Sequence, residues 1–203
     1  MVTTGLDAGD RAKQERRRQI LRAAKAVFAE AGYHGASINM IIERAQIARG
    51  TFYLYFESKA AVFDSILDQA MGELRARIRR IDVADPAAPA PQVQLREQVV
   101  STLEYFVGDR ALATILLSSG AMPEAEASER LAQFFGEVKA LIARAMETGM
   151  EIGLIRACQP DLVAAAMLGM IRGVIEFVIA SGTDTIETTV TEMITIALRG
   201  VLK

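Results

Sequence analysis

The chain has 203 residues, 51% of them hydrophobic, which supplies a sizeable core and excludes global disorder. Tryptophan is absent and Ala, Ile, Leu and Met dominate, a mixture that favours helices over sheets because such side chains lose little rotamer freedom in a helix. The net charge of −2 is unevenly divided: residues 1–60 hold ten Lys/Arg against six Asp/Glu and the remainder thirteen against nineteen, so only the head suits a polyanion.

The opening MVTTGLDAGDRAKQERRR is polar and charged with no apolar segment, and the expectation is a cytoplasmic protein without a secretion signal. From residue 16 to 30, Ile20, Leu21, Ala24, Val27 and Phe28 recur at spacings of three and four, predicting an amphipathic helix within 11–32 that closes at Gly32. Its first turns carry Arg11, Lys13, Arg16, Arg17 and Arg18, where the helix dipole favours acids, so something other than helix stability favours this cluster. His34 follows in a loop; with one His and one Cys in the chain, a metal site is not expected.

Ser37 is a natural N-cap for a short helix over 38–45. A turn near Gln46 leads to a third helix over 49–56, and Ser58 caps a fourth over 59–81. The run DPAAPAP at 85–91 breaks helix and is read as a loop. Further helices are predicted at 92–107, 110–119, 124–150, 161–181 and 185–202, punctuated by Gly108, Gly120, Pro123, Gly149, Gly153, Pro160 and Gly182.

The segment SINMIIERAQIARGTFYLYFESK (37–59) carries the clearest chemistry. Its third helix is too short to persist alone and must be clamped by Phe52 and Phe56. At about 100° per residue, Gly50 and Leu54 lie opposite Phe52, flanked by Thr51 and Tyr53. A small residue permits close approach to a surface, while hydroxyls and the nearby Arg49 supply donors for phosphates and base edges. Two helices joined by a short turn, the second presenting such a face, form a helix-turn-helix. Lys59 adds a cation at the start of the fourth helix.

Residues 20–63 resemble the DNA-binding domain of the tetracycline-repressor (TetR) family. The resemblance rests on the pattern IL..A...F...G, on SI..I...A.I, and above all on GTFYLYFESKAAVF. It implies an all-α fold, with a three-helix helix-turn-helix domain over 1–60 and a larger helical effector-binding and dimerisation domain over 61–203. Carried over by position, it implies phosphate contacts from Ser37, Tyr53, Tyr55 and Lys59, and base or groove contacts from Arg49, Gly50, Thr51 and Leu54. Three residues depart from the family pattern. Gln46 stands where Gly is usual, Ala48 replaces a Ser or Thr cap, and Tyr55 stands where His is common. The function implied is a sequence-specific transcriptional regulator of double-stranded DNA, a repressor released by a small effector. An activator or effector-independent regulator would use the same DNA-binding mechanism.

In the acidic remainder, residues 161–181 are apolar nearly all round, so both faces should be buried, one against the subunit core and one against a partner. Gly169 and Gly173 would allow close helix approach, and Ile186, Val190, Met193, Ile194, Ala197 and Val201 form one stripe of the last helix. These residues predict a homodimer. A membrane span of similar length is disfavoured by Arg172 and Glu176. Phe106, Phe134, Phe135, Met146, Met150, Met167, Met170 and Phe177 could line a cavity for a mostly hydrophobic effector, although each alone reads as ordinary core. Cys158 reads as apolar filler and excludes an internal disulfide. No catalytic triad, phosphate loop or metal cluster is present, so no enzyme and no cofactor are expected; catalysis would have to rest on carboxylates such as Glu124 and Glu126. A purely helical interaction module would account for the apolar C-terminal helices but not for the Gly50–Tyr55 face.

Overall fold

The chain's helix formers and breakers alternate so regularly that the described residues form nine helices and no strand. The computed structural model describes residues 8–118, 125–181 and 186–201, with side-chain surroundings for 9–118, 125–181 and 188–196. In order the helices are α1 (Ala8–Gly35), α2 (Ile38–Ala45), α3 (Arg49–Tyr53), α4 (Lys59–Arg77) and α5 (Pro91–Gly108), then α6 (Arg110–Leu117), α7 (Ala125–Glu151), α8 (Pro160–Ser181) and α9 (Ile186–Val201).

The ends follow local chemistry. Ser37 Oγ accepts from the Met40 amide at 3.3 Å and Ser58 Oγ from Ala61 at 3.0 Å, each satisfying an orphan donor of its helix. Gly32 breaks α1 with φ 68° and ψ 168°, and a further turn carries the chain to Gly35. The helix expected at 49–56 ends earlier, at Tyr53, where the Tyr55 amide closes a tighter i→i−3 bond to the Phe52 carbonyl. The helix expected to reach residue 81 stops at Arg77, where Ile78 leaves helical dihedrals. Between α4 and α5, the Gln94 amide holds the connecting loop through Asp82 and the Pro89 carbonyl.

The main hydrophobic core runs from Ile20 in α1 to Met193 in α9. The domain boundary expected after residue 60 falls inside α4, and α4 serves both sides of it. Phe63, near its start, stacks edge-on with Phe28 and Tyr33, whereas Leu74 and the following Ile78 border a cavity among α5, α6, α7 and α8. α1 packs on α2, α4 and α6, so the N-terminal helices rest directly on the C-terminal ones.

At the end of α7 the chain reverses through Gly153, whose φ of 73° suits glycine. Gly149 leaves room for Ile155, which would otherwise stand 2.5 Å from a Cβ there. α8 is long and apolar enough to cross a membrane, yet it packs on α5, α6, α7 and α9 of its own chain. Within the protomer one of its faces is buried and the other is open. Ala164, Ile175 and Val178 face the core, while Leu162 and Phe177 are 65% and 55% exposed.

Candidate nucleic-acid interface

Five residues cannot sustain a helix, so the position of α3 is imposed from outside. Phe52 is fully buried and Phe56 nearly so, with ring centres 6.1 Å apart. The approach is set by the end of α2. There the Gln46 amide donates to Glu43 and the Ile47 amide to Ile42, the paired bonds of a Schellman turn, with Gln46 in the left-handed region at φ 51°. Ala48 starts α3 in extended conformation with no side-chain cap. The departures noted in the sequence at Gln46 and Ala48 are therefore real local costs, offset by burial of the two phenylalanines.

Two side chains that carried no specific role in the sequence hold this arrangement from α1. Gln19 donates to the Ala45 carbonyl at 2.7 Å, satisfying the end of α2. The Arg17 guanidinium lies 5.1 Å from the Phe56 ring centre and donates to Ser65 Oγ at 3.0 Å. Their partners are remote in sequence, so only Arg17 was visible, as a member of the basic cluster. A bidentate pair from Arg44 to Glu30, at 2.8 and 2.5 Å, adds a further tie between α1 and α2 and lowers the Glu30 carboxyl pKa below its ordinary value.

With its inner face clamped, α3 turns the rest outward. Leu54 is 80% and Tyr53 45% exposed, Arg49 and Gly50 are exposed, and Arg49 lies over the Tyr53 ring. No atom lies within 4 Å of a Cβ built on Gly50, so nothing in the protein fills the space before it. Thr51 is half-buried at the margin, and Tyr55 is half-buried against the core rather than on the outer face. Ser37 is exposed; its hydroxyl accepts from α2 and retains its own proton to donate. Lys59 is half-buried, its ammonium donating to the Tyr33 carbonyl at 2.7 Å and the Ala36 carbonyl at 3.3 Å and lying over the Tyr33 ring. That cation is pinned at the end of α1, where it also satisfies carbonyls.

Residues 20–66 match the model of bacterial regulatory proteins of the tetR family, and residues 88–201 match that of the tetracyclin repressor-like C-terminal domain. The chain belongs to the tetR family. It is thus a DNA-binding transcriptional regulator. The regulator is 32% identical over 155 residues to the HTH-type transcriptional repressor NicS of Pseudomonas putida, spanning 73% of this chain and 70% of that one. It is 23% identical over 154 residues to the uncharacterized HTH-type transcriptional regulator YhgD of Bacillus subtilis, spanning 76% and 79%. Its fold resembles that of the SmeT–triclosan complex, with a TM-score of 0.74 over 93% of this chain and 92% of that one at 22% identity.

In the C-terminal helices, three of the eight side chains expected to line a cavity do so. Phe106, Phe134 and Phe135 border a cavity of about 70 Å³, together with Leu116, Leu117, Thr102 and Arg172 among others. The rest lie elsewhere. Met146 and Met150 form a separate cluster with Ile155 and Cys158, Met167 packs beside it, Met170 packs on the main core, and Phe177 is largely exposed. Arg172 was read only as an obstacle to a membrane span; its guanidinium lies 4.7 Å from the Phe135 ring centre at the cavity wall.

The residues expected at a dimer interface also divide. Val190 and Met193 are buried in the protomer's own core and Ile194 is half-buried against it, because this stripe of α9 turns toward α5 and α8. Gly169 and Gly173 are exposed on α8. The side chains of Ile186, Ala197 and Val201 lie outside the described residues. Among the described residues no group of three or more His, Cys, Asp or Glu is placed to hold a metal; Glu124 lies outside them, and Glu126 sits in the first turn of α7.

The turn geometry generates a direct prediction. Gln46→Gly should raise stability by about 0.5–1 kcal/mol, the left-handed penalty of an L residue less the entropy cost of glycine. Urea denaturation with an unchanged or lower midpoint would contradict this account of the turn.

Proposed function

We propose that the regulator is a dimeric repressor whose two α3 helices enter successive major grooves and are withdrawn when a small, mostly hydrophobic effector occupies the cavity. Arg49, Gly50, Thr51 and Leu54 meet the bases or groove wall. Ser37, Tyr53, Tyr55 and Lys59 meet phosphates. The repressor relative NicS and the fold's occurrence in a triclosan complex support this reading.

One observation carries the release step: α6 borders the cavity and packs on α1, the helix that braces the helix-turn-helix. Ala113, Leu116 and Leu117 of this short rod border the cavity. At its other end Asp109 caps it, accepting from the Leu112 amide at 3.1 Å, and pairs with Lys25 of α1. Both partners of that pair are largely shielded from solvent. A cavity of about 70 Å³ is far smaller than the roughly 300–1,000 Å³ of a usual ligand site. An effector of ordinary size therefore enters only by displacing the walls, α6 among them, and favours whichever arrangement leaves it room. The lining is apolar apart from Thr102, whose hydroxyl is engaged by the Gln98 carbonyl, and Arg172, so a mostly hydrophobic molecule fits it.

The second protomer is supplied by the open side of α8. Leu162, Gly169, Gly173 and Phe177 lie along it, and Ile196 of α9 is 67% exposed. Neither glycine has a neighbour within 4 Å of a built Cβ, so their smallness serves nothing inside the protomer and suits a closely approaching copy.

Two measurements test this function. Against duplexes selected from a random pool, Arg49→Ala should cost about 1–3 kcal/mol on the preferred sequence and less elsewhere. Tyr53→Phe should weaken all of them by about tenfold. Wild-type affinity and preference in both variants would sink the assignment of the α3 face. For release, compounds that raise the melting temperature should lower operator affinity by about 5–150-fold. Lys25→Met should keep the thermal shift and lose most of that effect; an undiminished response would remove the α1–α6 pair from the mechanism.

A further inference from the structure

The proposed function leaves the basic start of α1 unused. Residues 9–18 are exposed without exception, so the helix runs nearly three turns beyond the last residue that it buries. At 1.5 Å per residue this overhang is about 15 Å long. Beyond Arg17, which lies over Phe56 and bonds Ser65, it buries no side chain, and cations there oppose the helix dipole, so folding stability gives little reason for its outer turns.

Its geometry does. The buried stripe of α1 runs through Ile20, Ala24 and Val27. Continued outward at the same three-and-four spacing, the stripe meets Arg17, Arg16 and Lys13. The face that packs on the helix-turn-helix thus turns from apolar to cationic as it passes the domain's edge. That edge is fixed at two points: Gln19 is bonded to the Ala45 carbonyl beside the α2–α3 turn, and Arg17 lies over Phe56 just beyond α3. Arg16 reaches forward to Gln19 at 2.7 Å. The acids are placed away from the middle of this stripe. Glu15 is held by Arg22 at 2.5 Å and Arg18 at 3.7 Å on another face, and Asp10 lies at the outer end, in the first turn that the dipole favours.

From this we propose that Lys13 and Arg16, with Arg17 at their base, form an accessory phosphate-binding rail that follows the DNA backbone flanking the groove entered by α3. The proposal rests on the DNA-binding function and extends its footprint beyond the helix-turn-helix. The rail reads no bases: it contributes affinity that is independent of sequence and falls with salt.

The test uses the full-length protein and a fluorescein-labelled, mixed-sequence duplex of about 40 base pairs, titrated by anisotropy across a salt series. Lys13→Gln/Arg16→Gln should reduce the slope of log affinity against log salt by about 0.9 for each phosphate that a protomer no longer neutralises, and weaken binding by at least about tenfold at moderate salt. Its melting temperature should stay at the wild-type value, since both side chains are exposed. Lys139→Gln/Arg144→Gln on α7 removes the same charge away from the helix-turn-helix and should leave the slope unchanged. A first variant with wild-type slope and affinity overturns the rail, and so does a control that lowers the slope equally, because the effect is then net charge alone. Failure of the wild-type protein to bind any duplex would instead overturn the DNA-binding reading on which the rail stands.

Discussion

The proposed DNA-reading face depends on holding in place a helix that cannot hold itself. α3 has five residues, no side-chain cap and a left-handed residue shortly before it. It persists because Phe52 and Phe56 are sealed into a core shared with α1 and α4. The clamp uses the inner side of the helix completely, which frees the outer side from any structural duty. That freedom explains a composition that helix stability would not choose: a glycine, an exposed leucine and an exposed tyrosine in close succession around the buried phenylalanine.

The same core joins the helix-turn-helix to the C-terminal helices. α1 rests on α6 and α4 belongs to both regions, so no flexible linker isolates the DNA-binding helices from the cavity. Close-packed interiors shift between discrete arrangements rather than deforming gradually, which is what a regulator requires. In the proposed release step the Lys25–Asp109 pair is the link, between the cap of a cavity-lining helix and the helix that braces α3.

Several helix ends were legible because a residue there has a local reason: Ser37, Ser58, Gly32 and Gly153 act through bonds or dihedrals within a few residues of themselves, whereas the ends at Tyr53 and Arg77 carry no such residue. The outward set on α3 was legible for a similar reason, since periodicity alone separates Phe52 from Gly50 and Leu54. What periodicity cannot assign is which neighbour a face meets. Val190 and Met193 form an apolar stripe that would suit a partner or the protomer's own core equally well, and only the packing of α9 on α5 and α8 decides it. The methionines of α7 and α8 were likewise indistinguishable from the cavity's phenylalanines by spacing. Lys59 and Gln19 act on carbonyls 26 residues away in the chain, a relation that no local pattern encodes. The resemblance of residues 20–63 to a known family supplied the regulator function, whereas the residues themselves supplied the shape of the α3 face.

The central claim is that α3 lies in the major groove, once per protomer, and guanine N7 reports on that groove alone. Dimethyl sulfate footprinting of a duplex selected from a random pool tests it most directly. The account predicts two clusters of protected guanine N7 positions, centred about one helical turn (roughly 34–36 Å) apart. Unprotected N7 positions throughout the bound site, with protection confined to the minor groove, would contradict it.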